Sequence, residues 1–251
     1  MTRFFIVIIV YFFCDTVGAE QLPIYKEDQI IYYNYHIDNE GFNTVRKLYT
    51  PEVSKLIFNS PGGESGIAMK FAKWIINHDL DIEVDRYCLS SCANYIFPAG
   101  KIKYLNKKSV VGWHGGAFQF KKTPIDARNI RTVLSFSKNC DFSRLPKDEL
   151  LIFESIIKSE CAFYKSLNIN PLITMYGQIK EDRFYTDNVD FWSYSLDAMS
   201  FLGINGIVVK GGDWKPVRMI QQKSIKYFEL NEVKEGIEQA RHNRLLSDLI
   251  N

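Results

Sequence analysis

Two turns in the sequence carry the residue types best suited to covalent chemistry. They are Asn59-Ser-Pro-Gly-Gly63 and Leu89-Ser-Ser-Cys-Ala93, and each lies between a predicted strand and a predicted helix. A serine on such a turn has its hydroxyl beside the backbone N–H groups of the helix start, which can bind an oxyanion. Paired glycines let a second N–H approach a substrate, because no Cβ stands in the way. The pattern predicts acyl transfer by a serine, although a serine at a helix start is also a common N-cap.

The elements that must hold these turns alternate between strand and helix. The predicted strands are 29–36, 53–58 and 81–87, and the predicted helices are 41–49, 64–78 and 92–97. Such alternation favours an α/β fold in which parallel strands are joined by right-handed crossovers. In that arrangement a site lies beyond the carboxyl ends of the strands, which is where both turns fall.

The second half of the chain is less regular. Its predicted elements are an amphipathic helix at 145–166, a short helix at 171–177, a helix at 194–202 and a strand at 206–209. The glycine pair Gly211-Gly212 marks a plausible domain boundary. We therefore expect a main domain over 20–211 and a C-terminal appendage over 212–251, made of a short strand and a charged helix.

Several of these motifs recur in one order in a known family. They are Asn59-Ser-Pro-Gly-Gly63, Ser91, Ala99-Gly100, Val110-Val-Gly-Trp-His114, Phe191-Trp-Ser193 and Asp197–Gly203. This order resembles the proteolytic subunit of the Clp protease and its exported relatives in the crotonase-like superfamily, over about 29–209. Exported relatives flank the serine with a Cys-x-x-x-Cys arrangement, which Cys88-Leu-Ser-Ser-Cys92 reproduces.

The resemblance implies a crotonase-like spiral of βα units and a set of site residues. It assigns the nucleophile to Ser91 and the oxyanion hole to the N–H groups of Gly63 and Cys92. Asp190 is an approximate counterpart of the triad aspartate, shifted by one residue.

The general base is where the sequence departs from the family, because no histidine lies between His114 and His242. His114 can act as the base if its strand ends beside Ser91, since an imidazole suits proton removal near neutral pH. The alternative is a structural histidine beneath the site, as proteolytic-subunit relatives have at the matching place. A Ser–Lys pair, used by exported signal-peptide peptidases of the superfamily, is a further alternative. The nearby lysines are Lys107, Lys108, Lys121 and Lys122.

The N-terminal segment has the layout of a signal peptide. Arg3 precedes ten apolar residues at 4–13, and Val17-Gly-Ala19 supplies the small residues that a signal peptidase needs. The apolar run is shorter than the roughly 20 residues of a membrane-spanning helix. We expect cleavage after Ala19, export to the periplasm or the medium, and no stable membrane anchor afterwards. A retained anchor and lipid attachment at Cys14 are the less favoured alternatives.

Removal of residues 1–19 leaves Cys88, Cys92, Cys140 and Cys161 in a chain bound for an oxidising compartment. Four cysteines allow three pairings. The close spacing of Cys88 and Cys92 favours a bridge between them across a turn, and hence a second bridge between Cys140 and Cys161. A zinc site is disfavoured, because no histidine has finger-like spacing from these cysteines.

Composition narrows the classes of function. The 251 residues are 46% hydrophobic, which is enough for a sizeable core, and the net charge of +2 gives no sign of a nucleic-acid surface. We expect an exported serine hydrolase of the peptidase type, with a peptide or protein substrate, no cofactor, no metal and self-association. The alternative is a catalytically silent binding or assembly protein that has lost its base. Acyl-CoA chemistry is disfavoured, because export separates the protein from that cofactor.

Overall fold

The predicted alternation of strands and helices is present in a computed structural model, which describes residues 23–116, 147–179 and 189–239. The strands are β1 Ile24–Glu27, β2 Ile30–Tyr33, β3 Lys55–Ser60, β4 Asp81–Leu89, β5 Lys103–Asn106, β6 Val110–Gly112, β7 Phe191–Tyr194, β8 Ile207–Lys210, β9 Met219–Ile220 and β10 Lys223–Phe228.

Helices connect or follow most of these strands. Helix α3 is π-helical over Cys92–Ile96 and α-helical over Phe97–Ala99, and a 3₁₀ turn spans Pro171–Thr174. The other helices are α1 Asn39–Leu48, α2 Ser65–Asn77, α4 Lys147–Ser166, α5 Tyr176–Ile179, α6 Leu196–Phe201 and α7 at 230–239. The signal segment 1–19, Cys140, Lys121 and Lys122 lie outside the described residues. Within the described residues, no helix is long and apolar enough to cross a membrane.

The main sheet of the described residues has the strand order β1-β2-β3-β4-β5-β8, with β6 also paired to β4. Every pairing is parallel except that of β1 with β2. One edge of β4 has two successive partners, since Ile82 lies opposite Lys103 of β5 and Leu89 lies opposite Gly112 of β6. The structure therefore confirms the α/β fold with a mostly parallel sheet.

Helix α2 covers β2 and β3 with the apolar face that its periodicity predicts. Phe71 is fully buried, and its ring lies 5.8 Å from the rings of both Tyr33 and Phe58. Burial of a side chain of this size stabilises the fold by about 1.5–3 kcal/mol. This packing fixes the start of α2, and with it the glycine turn that precedes the helix.

A smaller sheet joins the C-terminal segment to the main body. In it β10 pairs with β7 in parallel and with β9 in antiparallel register. Phe191 and Ile225, opposite each other in β7 and β10, are buried in one apolar cluster with Leu89 and Val110. The segment after Gly212 therefore packs against the carboxyl end of β4, while the domain boundary itself stays a prediction.

The structure corrects the prediction of one helix over 194–202. The segment Phe191–Tyr194 is strand β7, and α6 begins only after Ser195, whose hydroxyl accepts from the N–H of Ala198 at 3.4 Å. The local pattern misses this strand because its partner, β10, lies more than thirty residues further along the chain.

Candidate active site

The glycine turn after β3 is held by a short parallel bridge to Ile37. The N–H of Ile37 donates to the carbonyl of Gly62 at 2.7 Å, and the N–H of Glu64 donates to the carbonyl of Ile37 at 2.8 Å. Gly62 has φ +94°, a conformation that glycine adopts without strain. The bridge leaves the N–H and C=O of Gly63 to face the other side, toward the start of α3.

The serine turn after β4 is tight and strained. Ser90 has φ +57°, whereas Ser91 has φ −62° and already has helical geometry. The N–H of Ser90 donates to the carbonyl of Gly112 at 2.9 Å, and its carbonyl accepts from the N–H of Asn94 at 2.8 Å. A left-handed conformation at a non-glycine residue costs about 1–2 kcal/mol, so the surrounding contacts must hold Ser90 in place.

A disulfide closes this turn. Cys88 and Cys92 are bonded to each other, with their Cα atoms 5.2 Å apart, and both side chains are fully buried. The disulfide links the end of β4 to the first residue of α3, and Ser90 is the middle residue of the loop that it closes. Cys161 is also disulfide-bonded, and its pairing with Cys140 stays a prediction because Cys140 lies outside the described residues.

His114 lies against Ser90. Its Nε2 is 2.7 Å from the Ser90 Oγ, and both residues are partly exposed, so a substrate can reach them. The imidazole packs edge-on against the ring of Phe191, with the ring centres 5.3 Å apart. Burial, with the nearby charge of Lys223, lowers the pKa of His114 below its usual 6.5. The imidazole is therefore neutral at pH 7, as a general base must be.

The main chain around His114 is fixed from two sides. Trp113, the preceding residue, exchanges two 2.8 Å hydrogen bonds with Trp192 of β7. On the other side, the buried Asn94 donates from its Nδ2 to the carbonyl of Gly115 at 2.8 Å. Asn94 also accepts from the Tyr164 hydroxyl through its carbonyl oxygen at 2.8 Å. Helix α3 thus holds both the serine turn and the histidine.

Ser91, the nucleophile that the family resemblance implies, has a different environment. Its side chain is buried, its Oγ accepts from the N–H of Gly63 at 2.7 Å and it donates to the carbonyl of Gly63 at 2.8 Å. The hydroxyl therefore joins α3 to the glycine turn and occupies the Gly63 N–H that was expected to bind the oxyanion. The serine hydroxyl that His114 contacts is that of Ser90, while the assignment of the nucleophile stays a prediction.

The carboxylate of Asp190, the approximate counterpart of the triad aspartate, is bonded to the smaller sheet. Asp190 is exposed, and its carboxylate accepts from the main-chain N–H of Ser224 at 2.8 Å, so its hydrogen bond joins β7 to β10. The shift by one residue noted in the sequence explains this, because neighbouring residues of a strand point to opposite faces. Phe191, and not Asp190, contacts His114.

Of the four lysines considered as bases, two lie in the described residues. Lys107 and Lys108 are exposed on the turn between β5 and β6, and their carbonyls accept from the N–H groups of Lys215 and Val217. The ring nitrogen that contacts a turn serine belongs to His114.

Backbone donors for an oxyanion lie next to Ser90. Among the described residues, no main-chain carbonyl accepts from the N–H of Ser91 or of Cys92. A Cβ added to Gly62 would lie 2.6 Å from the Ser90 Cβ and 3.0 Å from the Ser91 nitrogen. The glycine thus allows the two turns to meet closely beside the Ser91 N–H. These N–H groups, with Cys92 as predicted and Ser91 in place of Gly63, are the candidate oxyanion hole.

Metal ligands and cavities are the other features of the described residues that could form a site. No group of three metal-ligating side chains occurs in that part of the chain. A cavity of about 720 Å³ between α6 and β10 is lined in part by Trp214, Arg218 and Tyr227, and neither Ser90 nor His114 lines it. The partly exposed Ser90–His114 pair is therefore separate from this cavity.

Comparisons with known proteins give structural neighbours only. No family model and no curated protein match the chain. Among solved structures it is similar to the ClpP protease catalytic domain from Plasmodium falciparum, with 14% identity, a TM-score of 0.34, and coverage of 55% of this chain and 67% of that one. It is also similar to a methylmalonyl CoA decarboxylase, with 11% identity and a TM-score of 0.30, over 43% of this chain and about half, 53%, of that one.

The first of these neighbours is a ClpP catalytic domain, from the family that the sequence motifs resemble. Identities of 14% and 11% with TM-scores below 0.5 define neither a reaction nor a set of catalytic residues for this chain.

Proposed function

We propose that this protein is an exported serine hydrolase in which Ser90 is the nucleophile and His114 is the general base. The observation that carries the proposal is the 2.7 Å contact between the His114 Nε2 and the Ser90 Oγ on a strand-to-helix turn. The lowered pKa of His114 supports it, because the neutral imidazole has a lone pair for the serine proton.

The chemistry follows from this pair. The Ser90 Oγ attacks the substrate carbonyl carbon while its proton passes to the Nε2 of His114. The resulting oxyanion is bound by the N–H groups of Ser91 and Cys92, which lie at the start of α3. The imidazolium then donates its proton to the leaving group. In the second half of the reaction water, deprotonated by the same imidazole, attacks the acyl carbon, and the imidazolium returns the proton to the Ser90 Oγ as the acyl–oxygen bond breaks.

In this proposal the packing around the main chain and the ring of His114 orients the imidazole. The hydrogen bonds between Trp113 and Trp192, with the ring of Phe191, hold the imidazole toward Ser90. The nearby cation of Lys223 disfavours the imidazolium form of His114.

The substrate class and the location are part of the proposal. A peptide or protein is the substrate that the family resemblance implies, and export is supported by the signal-like N-terminus and by the Cys88–Cys92 disulfide. Self-association is expected on the same resemblance.

A fluorophosphonate probe, which reacts with activated serines, tests the proposal with two adjacent variants. Ser90→Ala should abolish labelling, and the matched control Ser91→Ala should retain it. Full labelling of folded Ser90→Ala would contradict the assignment of the nucleophile. The absence of labelling in folded wild type would instead favour the catalytically silent binding protein.

A further inference from the structure

We propose that Lys223 is a specificity-determining residue of this site and that it selects substrates with a carboxylate close to the scissile bond. The inference rests on the proposed Ser90–His114 chemistry and adds a substrate class to it.

The pairing of β10 with β7 brings Lys223 to the site. Ile225 lies opposite Phe191 in the parallel register, and the Lys223 Nζ is 5.5 Å from the centre of the Phe191 ring. The same ring packs against the imidazole of His114 at 5.3 Å. The ammonium and the imidazole therefore contact one aromatic side chain, and Lys223 is exposed beside the pair that would attack the substrate.

The charge of Lys223 is not neutralised within the described residues. No carboxylate there lies within 4.0 Å of its ammonium, whereas the buried Glu83 pairs with both Lys55 and Lys210. The nearest acid along β7, Asp190, has its carboxylate on the N–H of Ser224. An exposed ammonium at a reactive site can bind an anionic group of a substrate.

The field of this lysine reaches the catalytic base, because its charge contributes to the lowered pKa of His114. A substrate acyl group on Ser90 lies next to the same imidazole and would experience the same positive potential. A carboxylate near the scissile bond is therefore attracted, and a cationic group at that position is repelled. If the alkyl chain of Lys223 only packed on the ring of Phe191, a substitution of Lys223 would not change which substrates react.

Two fluorophosphonates test the inference when their short alkyl chains end in a carboxylate or in the matching carboxamide. The measured quantity is the ratio of their second-order labelling rates at Ser90. We expect wild type to prefer the carboxylate by about two- to fivefold at low salt, the range that an exposed ion pair supplies, and less at high salt. Lys223→Gln should bring the ratio to about one, and Lys223→Glu should invert it.

The control is Lys101→Glu, which makes the same change of charge at the other end of β4. Lys101 is exposed, and its N–H donates to Leu80, just before the start of that strand, while Ser90 follows its end. The control should keep the wild-type ratio. A wild-type ratio of one, or a preference that survives in Lys223→Gln, would overturn the inference while leaving Ser90 as the nucleophile. Failure of both probes to label Ser90 would overturn the proposed function itself, and the role of Lys223 with it.

Discussion

The hydroxyl of Ser91 is bound by both main-chain polar groups of Gly63, accepting from the N–H at 2.7 Å and donating to the C=O at 2.8 Å. The neighbouring Ser90 instead directs its hydroxyl to His114. Two adjacent serines therefore divide two tasks, since one joins the start of α3 to the glycine turn and the other is available for chemistry.

This division gives a prediction for Ser91→Ala. The variant leaves both polar groups of Gly63 without their buried partner, so we expect the free energy of unfolding to fall by about 1–3 kcal/mol. Urea denaturation measures the loss. Labelling per folded molecule should stay within about threefold of wild type, because the dyad itself is unchanged. A stable Ser91→Ala protein that no longer reacts would contradict the division of tasks.

His114→Gln should slow acylation of Ser90. A general base contributes about 10² to 10⁴ in rate, so the labelling rate should fall by at least about 10². The matched control is His78→Gln, because His78 ends α2 before the start of β4, with its Nδ1 2.7 Å from the carbonyl oxygen of Trp74, whereas Ser90 follows the end of β4. The time course of labelling gives the rate of acylation, and thermal unfolding shows whether the variant has lost stability. Unchanged labelling in folded His114→Gln would remove the histidine from the mechanism.

The pH dependence of labelling reports the same imidazole. Only neutral His114 can accept the serine proton, so the rate should fall as pH drops through its pKa, and the lowered pKa puts this fall below pH 6.5. Burial is the main cause and the charge of Lys223 the second. Lys223→Gln should therefore move the acid limb upward, toward 6.5. An acid limb above 6.5 in wild type would be the contrary result.

The disulfide should matter for reaction more than for overall folding. Replacement of both Cys88 and Cys92 by alanine opens the ring that encloses Ser90, and its φ of +57° is then held by fewer constraints. Small displacements of a nucleophile cost up to about 10² in rate, so we expect a loss of tenfold or more per folded molecule. Circular dichroism and labelling rates check this together. Equal rates in a folded double variant would show that the turn does not need the bridge.

Most of the elements that position the site can be predicted from the local sequence. The turn chemistry of Asn59–Gly63, the alternation of strand and helix, and the serine pair before α3 all depend on neighbours in the chain, so patterns predict them. Sequence also brings His114 to the site, because it ends a strand that follows the serine helix.

The sequence could not say which serine faces the histidine. Ser90 and Ser91 are one residue apart and chemically equal, and only the left-handed conformation of Ser90 separates their directions. Similarly, Phe191 and Lys223 reach the site through the pairing of β7 with β10, a contact between distant segments that leaves no local signal. The one sequence feature that indicates a positive φ at Ser90 is the short turn between two cysteines, Cys88 and Cys92.

The most direct test of the central claim is mass-spectrometric mapping of the fluorophosphonate adduct on wild-type protein. After reduction and alkylation, cleavage at Arg86 and Lys101 releases both serines in one peptide, and fragmentation between Ser90 and Ser91 assigns the modified residue. The proposed mechanism predicts the phosphonyl group on Ser90 and none on Ser91. An adduct confined to Ser91 would contradict it, and would return the nucleophile to the position that the family resemblance implies.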